Sequence, residues 1–356
     1  MKNIKLAAQL MLLVGVSNGA LADVDKVQGI SLEPATMSIA VGQEKYVATL
    51  ISPTSAEDKS VTFKSSDPTI VAISQNGEIK AKSAGDATIQ ATTTDGNFTA
   101  NLAVTVKDRL ALDENKTINL ADWDLEWADD FDYPDEQLDE KWVSQNGPTE
   151  NPYVLCSRWR DNAKVHDGIL ELKAIKESRG GQDWTCGNIW TKRTFKYGYF
   201  EAKYKYAGAK GTNNSFWLWP KTKGVKEGEK AFEIDINEGH YPNEINTNIH
   251  NWTDVTTLQN GKVNHFKDHI IDTADGDFSE EYHTYGYAWD ENRHEFYFDG
   301  KLIRVEENDF NHSETNILLS LAILSAEIAG TVSDDIDGTS MKFDYVRYYK
   351  KKPNVK

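Results

Sequence analysis

The sequence predicts an all-β protein built from two successive sandwiches. Three observations lead there. Short runs throughout the chain alternate apolar and polar residues with the period of two that a strand imposes. Gly, Pro, Asn and Asp cluster between those runs as turn signals. Few segments carry a helical period. At 356 residues the chain is comfortable for two domains. Its composition changes once, near Asp122: every one of the ten Trp lies beyond that point.

The chain opens as a signal peptide over residues 1–22. Lys2 and Lys5 precede a mostly apolar run over 6–16, and Ala20-Leu21-Ala22 offers a cleavage site before Asp23. The run is too short for a membrane anchor and no stop-transfer flank follows. The expectation is a secreted monomer, extracellular or periplasmic, with no membrane contact after cleavage. Two cysteines, Cys156 and Cys186, are present, and export makes a disulfide between them plausible. The other reading is two buried thiols.

Residues 23–107 contain no Trp and no Cys. Met37-Ser38-Ile39-Ala40-Val41, Val61-Thr62-Phe63, Ile70-Val71-Ala72-Ile73, Glu78-Ile79-Lys80-Ala81, Ala87-Thr88-Ile89-Gln90-Ala91 and Leu102-Ala103-Val104-Thr105-Val106 each read as a strand. Turn signals fall at Ser66-Asp67-Pro68, Asn76-Gly77 and Ala84-Gly85-Asp86. This is a small β-sandwich with no constellation for chemistry. The stretch FKSSDPTIVAISQNGEIKAKSAGDATIQA resembles the bacterial Ig-like group 2 domain, which implies a spacer or adhesion module. Residues 108–121 are charged and without a period, and read as a linker.

From 122 to 352 strand-like runs recur, among them Ile169-Leu170-Glu171-Leu172, Tyr197-Gly198-Tyr199-Phe200-Glu201-Ala202, Asn214-Ser215-Phe216-Trp217-Leu218-Trp219 and Met341-Lys342-Phe343-Asp344-Tyr345. Asp299-Gly300 is a strong hairpin turn. Two stacked antiparallel sheets follow from this.

Within this domain, Phe232-Glu233-Ile234-Asp235-Ile236-Asn237-Glu238 stands out. Glu233 and Asp235 share one strand face, with Ile234 and Ile236 on the other. Strict alternation would put Glu238 with the isoleucines, a poor place for a charge. A β-bulge near Asn237 would return it to the carboxylate face. Three acids in a row suit glycoside hydrolysis, which needs one carboxylate as nucleophile or base and a second carboxyl held protonated. Mutual repulsion raises the pKa of at least one of them. A Ca²⁺-binding or merely solvated acidic strand is the alternative.

The composition allows two uses of its aromatic residues and excludes one class of partner. Aromatics make up 11% of the chain, and Trp and Tyr suit stacking on sugar rings as well as cores. The net charge of −17 argues against a nucleic-acid partner, since no basic field is present to displace counterions. Trp217 and Trp219 lie on one face just before the acids and could stack on a sugar or pack in a core. His250 and Trp252 fall on the next strand. Arg158 and Arg193 have the forked donors that suit sulfate, or serve ordinary salt bridges. The eight His residues form no metal motif.

The segments WADDF with LDEKW, FKYGYFEAKYK, EIDINE, YHTYGYAWDENRHEFYFDGKLI and FDYVRYY occur in the order found in glycoside hydrolase family 16, and the chain resembles that family over about 122–350. The resemblance implies a β-jelly roll of two curved antiparallel sheets, with a polysaccharide groove on the concave face. It implies a retaining, endo-acting mechanism with Glu233 as nucleophile, Glu238 as acid/base and Asp235 assisting the nucleophile. The E-x-D-x-x-E spacing is that of the bulged branch, which holds laminarinases, agarases, porphyranases and carrageenases. The segments around Cys156 and Cys186 resemble places where family lichenases carry a disulfide. The family's structural Ca²⁺ maps to Asp130, Gly168 and Asp344, and no cofactor is implied for catalysis.

Laminarinases of that branch usually have Gly and Met where this chain has Phe232 and Asn237. The expected substrate is therefore a red-algal galactan of carrageenan, furcellaran, agar or porphyran type, cut at β-1,4 linkages. The alternatives are an endo-β-1,3-glucanase and a non-catalytic polysaccharide-binding or adhesion protein.

Overall fold

The computed structural model describes residues 25–353 apart from 223, 225 and 258–262, so the expected signal peptide lies outside the described residues. Strands dominate; the helices are single turns such as Leu138–Lys141 and Ala326–Ala329. No helix among the described residues is long and apolar enough to cross a membrane.

The N-terminal region is a sandwich. Thr36–Ala40, Thr99–Lys107, Gly85–Thr93 and Val61–Ser65 form one sheet in that order. Gly85–Thr93 buries every second residue, so Ala87, Ile89 and Ala91 enter the core while Asp86, Thr88 and Gln90 face water. The opposite layer contains Glu44–Tyr46, Glu78–Ala81 and Val71–Ile73. Val47, Phe63, Val71, Ile79, Ile89 and Val104 fill the space between.

The second region stacks two sheets. One orders Ala163–His166, Ile169–Lys173, Ser340–Lys351, Gly198–Lys205, His283–Trp289, Arg293–Phe298 and Lys301–Glu307, with Trp123–Asp129 also paired to Ser340–Lys351. The other runs Trp142–Ser144, Asn188–Thr191, Asn316–Ile323, Thr212–Trp219, Phe232–His240, Glu244–Thr257 and Val263–Thr273. Between them lies a large core in which Tyr204 stacks on Tyr285 at 4.2 Å and Phe195 meets Tyr348 at 4.7 Å. Cys156 and Cys186 are joined by a disulfide that crosses a small parallel strand pair diagonally, since Cys156 is opposite Trp184 and Cys186 opposite Arg158.

The second of these sheets does not end at Val263–Thr273. Lys267 pairs with Glu44, so three strands of the N-terminal sandwich prolong it to ten. The segment read as a linker is docked as well. Ile118 N–H donates to Gly300 O at 2.8 Å, and Leu302 N–H donates to Lys116 O at 2.9 Å. Those bonds, with the Arg109 ion pairs described below, fix a segment that the sequence made look loose.

Candidate active site

The strand Phe232–His240 carries the expected bulge. Against Thr212–Trp219, Trp217 pairs with Asp235 and Phe216 with Asn237, which leaves Ile236 as the extra residue. Ile234, Ile236 and Asn237 all point into the core, the last two in succession. Asn237 is a buried amide, and it is satisfied there: its Nδ2 donates to Tyr204 Oη at 2.7 Å and Tyr206 Oη at 2.8 Å. This inward amide pins the bulge and returns Glu238 to the face of Glu233 and Asp235.

On that face Glu233 accepts from Trp252 Nε1 at 2.8 Å. Trp252 stacks on the His250 ring at 5.6 Å and meets Trp219 edge-on at 6.4 Å. His250 Nε2 lies 3.2 Å from Asp235 Oδ2. Asp235 is fully buried and shares hydrogen bonds with Asn248 and Glu233. Glu238 is held at both oxygens, by Asn213 Nδ2 at 2.8 Å and Asn248 Nδ2 at 2.9 Å. Trp217 is half-buried, with its Nε1 donating to Ser320 Oγ at 3.1 Å.

The electrostatics follow chiefly from burial and from the neighbouring acids. Burial first, and then the neighbouring Asp235 charge, push the Glu233 carboxyl up to about 8. Asp235 is raised well above its ordinary value by burial and by Glu238. Burial lowers the His250 pKa against the pull of Glu233 and Glu238. The row therefore holds a proton at neutral pH, shared within a coupled set. Glu233, Asp235 and His250 bring one ligand atom each within 4.8 Å of one another. An ion there would take the groups that the acid–base chemistry needs.

Two expected substrate contacts are corrected. Arg158 is buried at 7% exposure, and its guanidinium donates to the Leu321 carbonyl. Burial lowers its pKa to about 10. It braces the inside of the sheet instead of meeting a sulfate on the surface. Arg193 is exposed but already engaged: it is ion-paired to Glu126 and lies over the Phe195 and Tyr348 rings, at 5.2 and 5.9 Å. Of the calcium set, Asp130 is paired with Arg347 at 2.9 Å and Asp344 with Lys203 at 2.8 Å.

Asn213, Asn248 and His269 were missed. His269 lies 3.4 Å from Asn246 Oδ1, beside the Glu238 cluster. The signal for part of this was present: Asn246, Asn248 and His250 alternate in the run NTNIHNW, so all three share the face of the acids.

Fold and site together define a jelly-roll protein with a carboxylate row across the open face of one sheet. The family model for glycosyl hydrolases family 16 matches residues 152–347, and the chain belongs to that family. The model of the bacterial Ig-like domain (group 2) matches residues 26–104. The endo-1,3-1,4-beta-glycanase ExsH of Rhizobium meliloti (strain 1021) is 29% identical over 58% of this chain and 44% of its own length. The kappa-carrageenase of Pseudoalteromonas carrageenovora is 27% identical over 64% of each chain. The catalytic domain of an endo-1,3-beta-glucanase (laminarinase) from Thermotoga petrophila RKU-1 superposes with a TM-score of 0.54, at 25% identity, over 65% of this chain and 99% of that one. The chain spans 44% to 64% of the length of the first curated relatives it matches.

Proposed function

We propose that this chain is a secreted, retaining endo-glycoside hydrolase that cuts internal β-1,4 linkages of a red-algal galactan. The observation that carries the catalytic part is the adjoining carboxyl pair of half-buried Glu233 and buried Asp235, with Glu238 on the same face. Glu233 attacks the anomeric carbon while Glu238 protonates the departing glycosidic oxygen. Water then enters, Glu238 takes its proton, and the bond to Glu233 breaks. Asp235 shares a hydrogen bond with Glu233, and a proton moving along it leaves the negative charge on the other carboxyl of the pair. The amides of Asn213 and Asn248 fix the orientation of the Glu238 carboxyl. Trp252 and Trp219 offer ring faces for stacking at the cleavage point.

The galactan reading is supported by similarity to the kappa-carrageenase and by Phe232 and Asn237, which depart from the usual laminarinase residues. A second reading, an endo-β-glucanase, is favoured by similarity to the Rhizobium glycanase and to the laminarinase fold. A reducing-end assay on agarose, porphyran, κ-carrageenan, furcellaran, laminarin and lichenan decides between them, with Glu233→Gln as control. Release from a galactan is expected. Release from laminarin or lichenan alone overturns the substrate, and binding without cleavage overturns the enzyme. A structural Ca²⁺ at Asp130, Gly168 and Asp344 would have to displace the Lys203 ammonium from Asp344. A rise in melting temperature with Ca²⁺ that EDTA reverses is its test.

A further inference from the structure

Directly opposed residues of an antiparallel sheet project from the same face. The register of the ten-stranded sheet therefore traces one row of side chains across the strands. It starts at Glu233, opposite His250, which is opposite Lys267. Lys267 is opposite Glu44, and Glu44 is opposite Lys80. The row thus leaves the candidate active site and continues onto the Ig-like domain without changing face. The opposed pair Lys45 and Ile79, one residue out of phase, takes the other side, and Ile79 enters the Ig-like core. The outer members of the row are open: Lys267 is exposed, and the Glu44 and Lys80 side chains are 43% and 59% exposed and ion-paired at 3.0 Å.

The joint that makes this row continuous is rigid. Arg109, from the segment between the domains, ion-pairs with Asp268 at 2.8 Å and with Glu306. Arg304 pairs with the same two acids at 2.9 and 3.1 Å, and Gln43 of the Ig-like domain donates to Asp268 at 2.9 Å. Asp268, Arg304 and Glu306 are all at least 95% buried. A swinging Ig-like domain would strip one partner from this buried network, which is strongly unfavourable.

We propose that the Ig-like domain supplies the distal end of the polysaccharide-binding face, with Lys267, Glu44 and Lys80 contacting sugar residues beyond those at Glu233. The inference rests on the reading of this face as catalytic. At one strand spacing per step, Lys80 lies roughly 19 Å from Glu233 across the sheet. An extended polysaccharide reaches that far, and a short oligosaccharide bound at the acids does not. The ligand chemistry is hydroxyl and sulfate-ester oxygens accepting from the two lysines, and hydroxyls donating to Glu44. The Ig-like domain then acts as a length sensor: long chains gain contacts that fragments lack.

The test uses the full chain with Glu44→Ala and Lys80→Ala combined, with Lys267→Ala separately, and with Lys64→Ala on another Ig-like strand as control. On the panel polymer that is cleaved, KM is expected to rise about fivefold with kcat held, a loss of about one surface contact. On the shortest cleaved oligosaccharide of that polymer KM is expected to move by less than about twofold. Equal losses on both substrates, or none on the polymer, overturn the proposal. Electrophoretic retardation of the Glu233→Gln chain in gels containing κ-carrageenan, agarose or laminarin separates the two ideas. Retardation that weakens on adding the Glu44 and Lys80 changes supports the distal site even where no polymer is cleaved. Retardation unchanged by them, or absent in all three gels, overturns it.

Discussion

Glu233 and Glu171 are both largely enclosed carboxylates on opposite sheets of one domain, and their surroundings drive them in opposite directions. Glu171 sits on Ile169–Lys173 and is ringed by donors. Ser340 Oγ donates at 2.7 Å, Lys173 Nζ lies at 3.0 Å, His166 Nε2 at 3.1 Å and Lys342 Nζ at 3.6 Å. Burial pushes its pKa up, but Ser340, Lys173 and His166 more than offset this and bring it to about 2. Glu233 has a tryptophan N–H, an acid and a histidine beside it, and stands at about 8. Paired acids stabilise a fold. An acid buried among acids costs stability and stores a proton, and the molecule keeps that cost on the face where chemistry is proposed.

The largest way to break this contrast is to neutralise each acid in turn. Glu233→Gln should lower kcat by about a thousandfold or more, because an amide cannot attack the anomeric carbon as the carboxylate does. Glu171→Gln should leave kcat within about twofold, since that carboxylate lies on the far sheet. Turnover of the two proteins on the same polymer checks both. Comparable losses would mean that Glu171 matters to the reaction, or that Glu233 does not.

Stability should separate the two acids with opposite signs. Glu171 has a folded pKa below its ordinary 4.5, so its contribution is full above that value and is lost as pH falls toward 2. Glu171→Gln should therefore cost about 2 kcal/mol at pH 6, after discounting for its half-exposed lysine partners, and little at pH 2. Glu233 has a folded pKa above 4.5, so the wild type loses stability as pH rises from 4.5 through about 8. Glu233→Gln removes that loss and should stabilise the protein by about 2 kcal/mol at pH 8, with little effect near pH 4. Urea unfolding at three pH values measures both slopes. Parallel slopes for the two variants would contradict the electrostatic difference.

Much of this contrast could be read in advance, and the failures have causes. Alternation placed Glu233 and Asp235 on one face, and the extra residue announced the bulge, because both depend on local backbone geometry. The inward turn of Asn237 depends on Tyr204, on the strand Gly198–Lys205 of the opposite sheet, and on Tyr206 just past its end. Arg158 and Arg193 were misplaced because a guanidinium in a sequence does not say whether a carbonyl, a carboxylate or solvent waits for it. The docking of the Ig-like domain was illegible for a similar reason. Its contact strand, Glu44–Tyr46, is three polar or aromatic residues with no alternation to reveal it. The partner strand Val263–Thr273 mixes charges on both faces, since Asp268 turns inward to meet Arg304. Long-range ion pairs place these residues, and no short window of sequence contains both ends.

The smallest expected effect sharpens the comparison at its centre. Trp252 supplies the indole N–H on Glu233 and a ring face beside His250. Trp252→Phe keeps a ring and deletes the donor. That donor favours the charged form, so its loss raises the Glu233 pKa further. Because the nucleophile must be ionised, the acidic limb of the kcat/KM profile should move to higher pH. Activity near neutrality should fall about fivefold and recover in part on the alkaline side. A uniform loss with an unmoved limb would assign Trp252 to sugar stacking alone. A moved limb with an unchanged KM makes the indole a positioning group for the acid, and shows that one hydrogen bond holds this carboxyl closer to its paired counterpart across the core.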